Sequence, residues 1–140
     1  MTDPKDDLIV SGPGKKSARI MVLDDDAADR QSIVTVLEKE GYTVQAFPDF
    51  ESLFWELRKS LPDLVIIDAV LPKLSGFEVC REIKTTFQPN PPWVIIVTGK
   101  VVGVDVHLAG QVGADDLEAK TAGMGLVLKA VRNILSRSRK

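Results

Sequence analysis

Six side chains capable of chemistry stand where apolar runs of this sequence end. Asp24, Asp25 and Asp26 follow Ile20-Met-Val-Leu23, Asp68 follows Leu64-Val-Ile-Ile67, Thr98 follows Val94-Ile-Ile-Val97, and Lys120 follows the short stretch 116–119. Singly, each has an ordinary explanation as a helix cap, a turn former or a surface charge. Taken together they describe a site. Clustered carboxylates repel one another unless a cation lies between them, and hard oxygen ligands with room for water suit magnesium. Magnesium leaves coordination positions for phosphate oxygens, which points to phosphoryl transfer with a carboxylate as acceptor. The Lys120 ammonium would neutralise one phosphoryl oxygen and the Thr98 hydroxyl would hydrogen-bond another. Gly99, beside Thr98, leaves the approach open.

That chemistry requires elements that bring distant residues to one place. Leu64 to Ile67 is an unbroken apolar run rich in β-branched residues, as expected of a parallel strand covered on both faces. Pro72 and Gly76 mark the turn after it, and Ser75-Gly-Phe-Glu78 has the spacing of a capping box that starts a helix. Further strands are predicted at Ile20–Leu23, Thr43–Phe47, Val94–Val97 and Asp116–Ala119. A first helix runs from Ala27 to Glu40, capped by Asp26, with Ile33, Val34 and Leu37 at helical spacing and Gly41 at its end. A second opens at Pro48-Asp49 with Leu53, Phe54 and Leu57 on one face. The third carries Val79, Cys80, Ile83 and Phe87 and is closed by Pro89-Asn-Pro-Pro92. A fourth is indicated by Val104, Leu108 and Val112, weakened by Gly103 and Gly110 and closed by Gly113. The last shows Met124, Val127, Leu128, Val131, Ile134 and Leu135 on one face. Five strands alternating with five helices predict an α/β fold, a doubly wound five-stranded parallel sheet with helices on both sides. The count favours strand order 2-1-3-4-5, and all six polar residues then emerge at one edge of the sheet.

Composition narrows the function classes. A chain of 140 residues and 15.3 kDa fits one domain. A net charge of −2 gives no electrostatic reason to expect nucleic acid or an anionic membrane as a partner. The single cysteine excludes an internal disulfide and a cysteine-based zinc cluster, and no apolar run has the length of a membrane span. A cytoplasmic protein with protein or small-molecule partners is the expectation. Residues 1–18 read as a flexible leader, 19–136 as the folded domain and 137–140 as a basic tail. Gly12-Pro-Gly-Lys-Lys-Ser17 lacks the first glycine and the preceding strand of a phosphate loop.

Ile20-Met-Val-Leu-Asp-Asp-Asp26, the segment 63–76 around Asp68, Val97-Thr-Gly99 and Gly113-Ala-Asp-Asp-Leu-Glu-Ala-Lys120 together resemble the receiver domain of two-component response regulators, across about residues 17–136. The resemblance implies a flavodoxin-like, CheY-like fold with Asp68 as the phosphoacceptor. It implies Mg2+ held by Asp25, Asp68 and the backbone carbonyl of Val70, with Asp24 acting through water, and Thr98 and Lys120 as the phosphoryl-stabilising and switch residues. The partners implied are a sensor histidine kinase or a phosphotransfer protein and an unknown downstream protein. No independent enzyme is expected beyond magnesium-dependent self-phosphorylation and autodephosphorylation at the aspartate.

Two positions depart from the family pattern. Thr121 stands where the family usually has proline, which makes a cis bond after Lys120 unexpected, and Leu117 stands where a switching aromatic ring is usual. The glycine-rich loop 121–125 is expected to loosen the start of the last helix. Phosphorylation with a non-standard output is the expectation. Residues 121–140 are taken up by the final helix and tail, so the chain reads as a single-domain switch or relay carrier. A phosphorylation-independent pseudo-receiver, acting as a protein docking module, is the alternative. A phosphatase of the Asp-x-Asp type, using Asp24 and Asp26, is discounted because Ala28 stands where a hydroxyl is needed. His107, Cys80, Trp55 and Trp93 read as helix-surface, core and packing residues without a functional role.

Overall fold

In the computed structural model, which describes residues 18–137, five parallel strands form one sheet in the order β2-β1-β3-β4-β5. The elements alternate along the chain as β1 (Arg19–Leu23), α1 (Ala27–Lys39), β2 (Thr43–Phe47), α2 (Phe50–Lys59), β3 (Leu64–Asp68) and α3 (Gly76–Thr86). They continue with β4 (Trp93–Thr98), α4 (Gly103–Val112), β5 (Asp116–Ala119), a 3-10 turn (Ala122–Met124) and α5 (Gly125–Leu135). β1 and β3 pair in parallel with Leu23 beside Ile67, and β3 pairs with β4 so that Asp68 lies beside Val97. β4 pairs with β5 with Thr98 beside Ala119, so the residue after β5 emerges next to the end of β4.

The unbroken apolar strands are explained by helices on both faces. Met21, Leu23, Val65, Ile67, Val94 and Ile96 point into one core with Leu53, Phe54 and Leu57 of α2, Val79, Cys80 and Ile83 of α3, and Ala109 and Val112 of α4. Ile20, Val22, Leu64, Ile66, Ile95 and Val97 point the other way, against Ile33 and Leu37 of α1 and Val127, Val131 and Ile134 of α5. The period of two along each strand thus divides the same run between two cores. Full burial of one such side chain stabilises the fold by roughly 1.5–3 kcal/mol.

Local signals fix the element ends. The Asp26 side chain accepts from the Asp29 amide at the start of α1, and Asp49 accepts from the Ser52 amide at the start of α2. The capping box of α3 is complete, with the Glu78 amide donating to Ser75 Oγ at 3.2 Å and the Ser75 amide to Glu78 Oε1 at 2.9 Å. Gly113, with φ of 84°, closes α4 in the left-handed region that glycine tolerates.

Several expectations are corrected. Trp55 does not pack: it is 64% exposed, on the outer face of α2, with Lys59 Nζ 5.3 Å from its ring centre. A helical position alternates with the core face only through its angle, and Trp55 lies off the stripe that buries Leu53, Phe54 and Leu57. Trp93 does pack, half-buried against the core under α5. Val104 faces solvent, and α4 is held through Ala109 and Val112. α3 ends at Thr86, ahead of the proline cluster, with the Phe87 amide bonded to the Ile83 carbonyl. Ala18, assigned by sequence to the leader, is buried, and its carbonyl accepts from the Thr43 amide. The segment Gly12–Ser17 and the rest of the leader lie outside the described residues, as do residues 138–140 of the tail.

Candidate functional site

All strands run the same way, so their C-terminal ends form one rim, where Asp24, Asp25, Asp68 and Lys120 come together, Thr98 closes β4 and Asp26 serves instead as the cap of α1. Asp24 remains tied to the sheet, its amide donating to the Phe47 carbonyl at 3.2 Å, and its side chain is fully buried. Asp24 Oδ1 accepts from the Asp26 amide at 2.9 Å, which turns the chain from β1 into α1. Asp25, next in sequence, is exposed on the rim. Asp68 closes β3 and is buried; its Oδ1 accepts from the Val70 amide at 3.2 Å. Carboxylate oxygens of Asp24, Asp25 and Asp68 all lie within 4.8 Å of one another.

Lys120 reaches this cluster from the other side. Its backbone amide donates to the Thr98 carbonyl at 2.7 Å, which continues the β4–β5 ladder beyond β5 and aims the side chain across the rim. Lys120 Nζ donates to Asp24 Oδ2 and to Asp29 Oδ2, each at 2.9 Å, and stands 3.4 Å from Asp68 Oδ2. Thr98 is buried at the end of β4, and Gly99 after it has open space where a Cβ would sit. Gly76 is the opposite case. A Cβ there would collide with the Asp68 carbonyl oxygen and reach 2.8 Å from Ala69 Cα, so only glycine lets α3 start this close to the acid.

Electrostatics follow from the packing. Burial, and next the neighbouring Asp24 charge, push the Asp68 carboxyl up to about 6, against opposition from the Val70 amide and Lys120. Desolvation acts to lower Lys120, but hydrogen bonds to Asp24 and Asp29 with the charges of Asp24 and Asp68 outweigh it and hold the ammonium above the ordinary lysine range. The site is thus an acid-rich pocket with the Lys120 ammonium held among its carboxylates. Three carboxylates of this density fit a hard divalent cation coordinated by oxygen, and magnesium suits the donor set.

Of the other predicted positions, Val70 is 73% exposed over the rim, Leu117 is half-buried against the core under α4, and Thr121 is exposed at the loop after Lys120. The peptide after Lys120 is not cis; among the described residues Gln88–Pro89 is the cis bond. In the glycine-rich loop, Met124 adopts φ of 58° and is buried in the core shared by α1 and α5. Two residues at the site were missed by sequence reasoning. Asp29 bonds Lys120, and Arg30 Nη1 donates to the Asp24 carbonyl at 2.7 Å. Their only signal was position: both lie in the first turn of the helix that follows the acids.

Comparison with known proteins bears on the family and the fold. The family model for the response regulator receiver domain matches residues 20–132. Transcriptional regulatory protein CreB of Escherichia coli (strain K12) is 32% identical over 121 residues, covering 86% of this chain and 52% of CreB. Response regulator MprA of Mycobacterium ulcerans is 33% identical over 127 residues, covering 88% of this chain and 52% of MprA. Among solved structures, DrrB, a Thermotoga maritima OmpR/PhoB homologue, superposes with a TM-score of 0.77 at 31% identity, covering 89% of this chain and 55% of DrrB. The BeF3-activated DrrB receiver domain gives a TM-score of 0.75 at 30% identity, covering 86% of this chain and 99% of that one. The chain spans about half the length of the curated relatives it matches. With the five-stranded order, the acidic cluster and the matched span in agreement, this chain belongs to the response regulator receiver-domain family.

Proposed function

We propose that the chain is a phosphoacceptor switch of a two-component system in which Asp68 accepts a phosphoryl group from the phosphohistidine of a sensor kinase or of a phosphotransfer protein. The observation that carries this reading is the convergence of Asp24, Asp25 and Asp68 within 4.8 Å, with Lys120 Nζ 3.4 Å from Asp68. In the transfer, an Asp68 carboxylate oxygen forms a bond to phosphorus as the phosphorus–nitrogen bond of the donor breaks, and the leaving imidazole keeps the electron pair. Asp25, Asp68 and the Val70 carbonyl would hold Mg2+, which neutralises charge on the phosphoryl oxygens. Asp24 has both oxygens engaged, with the Asp26 amide and with Lys120, and so acts through its neighbours or through water. Lys120 and the Thr98 hydroxyl bind the remaining phosphoryl oxygens.

Response regulators of two-component systems interact with histidine kinases, and that is the upstream partner expected here. Downstream, the phosphorylated surface engages a further protein. The relatives' remaining halves lie outside the match, and one of them is named a transcriptional regulatory protein; the absence of a direct nucleic-acid partner is proposed for these 140 residues alone. Among the described residues no helix is long and apolar enough to cross a membrane. A docking module that never cycles phosphate is disfavoured by the complete acid, hydroxyl and lysine set. Phosphodonor treatment, borohydride reduction and peptide mapping test the assignment: reduction at Asp68 is expected, and modification at another carboxylate would overturn it.

A further inference from the structure

Lys120 is shared among three carboxylates, and the sharing is unequal. Its ammonium has three N–H donors. Contacts of 2.9 Å go to Asp24 and Asp29, whereas Asp68, the proposed acceptor, is the most distant at 3.4 Å. Asp24 is fully buried, and its other oxygen accepts from the Asp26 amide, so bulk water has little access to its contact with the lysine. Asp29 differs: its side chain is 42% exposed and lies in the first turn of α1, where water can replace the ammonium.

We infer that Asp29 is a positioning residue that holds Lys120 toward α1 until phosphorylation of Asp68 draws the ammonium away, so that Asp29 competes with the phosphoryl group for Lys120. The inference rests on the phosphoacceptor reading and deepens it. A phosphoryl group brings close to two negative charges and three strong acceptor oxygens to the carboxylate that is now the longest contact of the lysine. Transfer of the ammonium leaves Asp24 bonded and releases Asp29 to solvent. The release falls on the helix next to the site, so the first turn of α1 senses the phosphorylation state through one ion pair.

Asp29→Asn removes the competing charge while preserving size. Asp26→Asn is the control, because it removes an equal charge from the same turn without touching Lys120, and asparagine still caps the helix. The probe is beryllofluoride with magnesium, titrated calorimetrically. Binding to Asp29→Asn is expected to be about threefold to fivefold tighter than to the natural protein, the scale of a half-exposed ion pair, with Asp26→Asn close to the natural value. Loading the natural protein is also expected to move the carbon-13 resonance of the Asp29 carboxylate toward that of a solvated aspartate. Unchanged or weaker binding by Asp29→Asn, equal tightening by Asp26→Asn, or a stationary Asp29 resonance on loading would each overturn the inference while leaving the phosphoacceptor reading intact. Absence of beryllofluoride binding by the natural protein would overturn the reading, and the inference with it.

Discussion

Replacing Asp68 by asparagine should make the metal-free protein more stable at neutral pH, although it destroys the proposed acceptor. The side chain is only 9% exposed, and its charge is disfavoured first by burial and next by Asp24, so that its pKa rises from 3.8 to about 6. Below 3.8 the side chain is neutral in both folded and unfolded chains and imposes no penalty. Between 3.8 and about 6 the folded chain binds the proton more tightly, so stability falls as pH rises through this window and the full penalty applies above it. A rise of that size corresponds to about 3 kcal/mol, a ceiling, since Asp24 and Lys120 readjust when the charge goes. Asparagine keeps an acceptor for the Val70 amide and carries no charge. Urea unfolding with chelator present should therefore show Asp68→Asn more stable by about 1–3 kcal/mol near neutral pH, the advantage shrinking as pH falls toward 4. A variant less stable than the natural protein at neutral pH, or an advantage that does not change with pH, would refute the electrostatic account.

Three further outcomes follow from particular contacts. Gly76→Ala forces a Cβ against the Asp68 carbonyl and Ala69, so it should lower stability by about 1–3 kcal/mol in urea unfolding, as overpacking does, and reduce phosphodonor labelling together with it. Cys80 is fully buried, with its thiol 3.7 Å from the Val112 carbonyl and pushed up by burial; a thiol reagent should modify it only as fast as the protein unfolds. Leu117→Tyr restores a ring where Leu117 packs half-buried against the core under α4, and pull-down of partners should change much more than the extent of labelling; equal effects on both would contradict a role for this position in output.

The parts of this protein legible in its sequence are those whose signal is local. β1, β3 and β4 are short apolar runs bounded by polar residues, and Ser75 with Glu78 announces α3 through side-chain bonds that span three positions. Parallel pairing and right-handed crossover then place Asp24, Asp68, Thr98 and Lys120 on one rim, because chain order and strand direction leave little choice. What sequence did not show depends on distance in space. Asp29 and Lys120 are 91 residues apart, and nothing in the first turn of α1 distinguishes an acid that pairs with a lysine from a solvated one. Residue type alone assigns Trp55 to packing, whereas its angle around α2 decides its exposure. Met124 fits the apolar period of α5 yet lies in the turn before it with positive φ, held there by burial against α1 and α5.

Intact-mass measurement after incubation with a small phosphodonor tests the central claim most directly, on the natural protein and on Asp68→Asn, with magnesium and with chelator. A single phosphoryl adduct that forms with magnesium, fails to form with chelator and is missing from the variant is the predicted result. An adduct of equal yield on Asp68→Asn, or one indifferent to magnesium, would contradict the assignment of Asp68 and its acidic neighbours as the phosphoacceptor site.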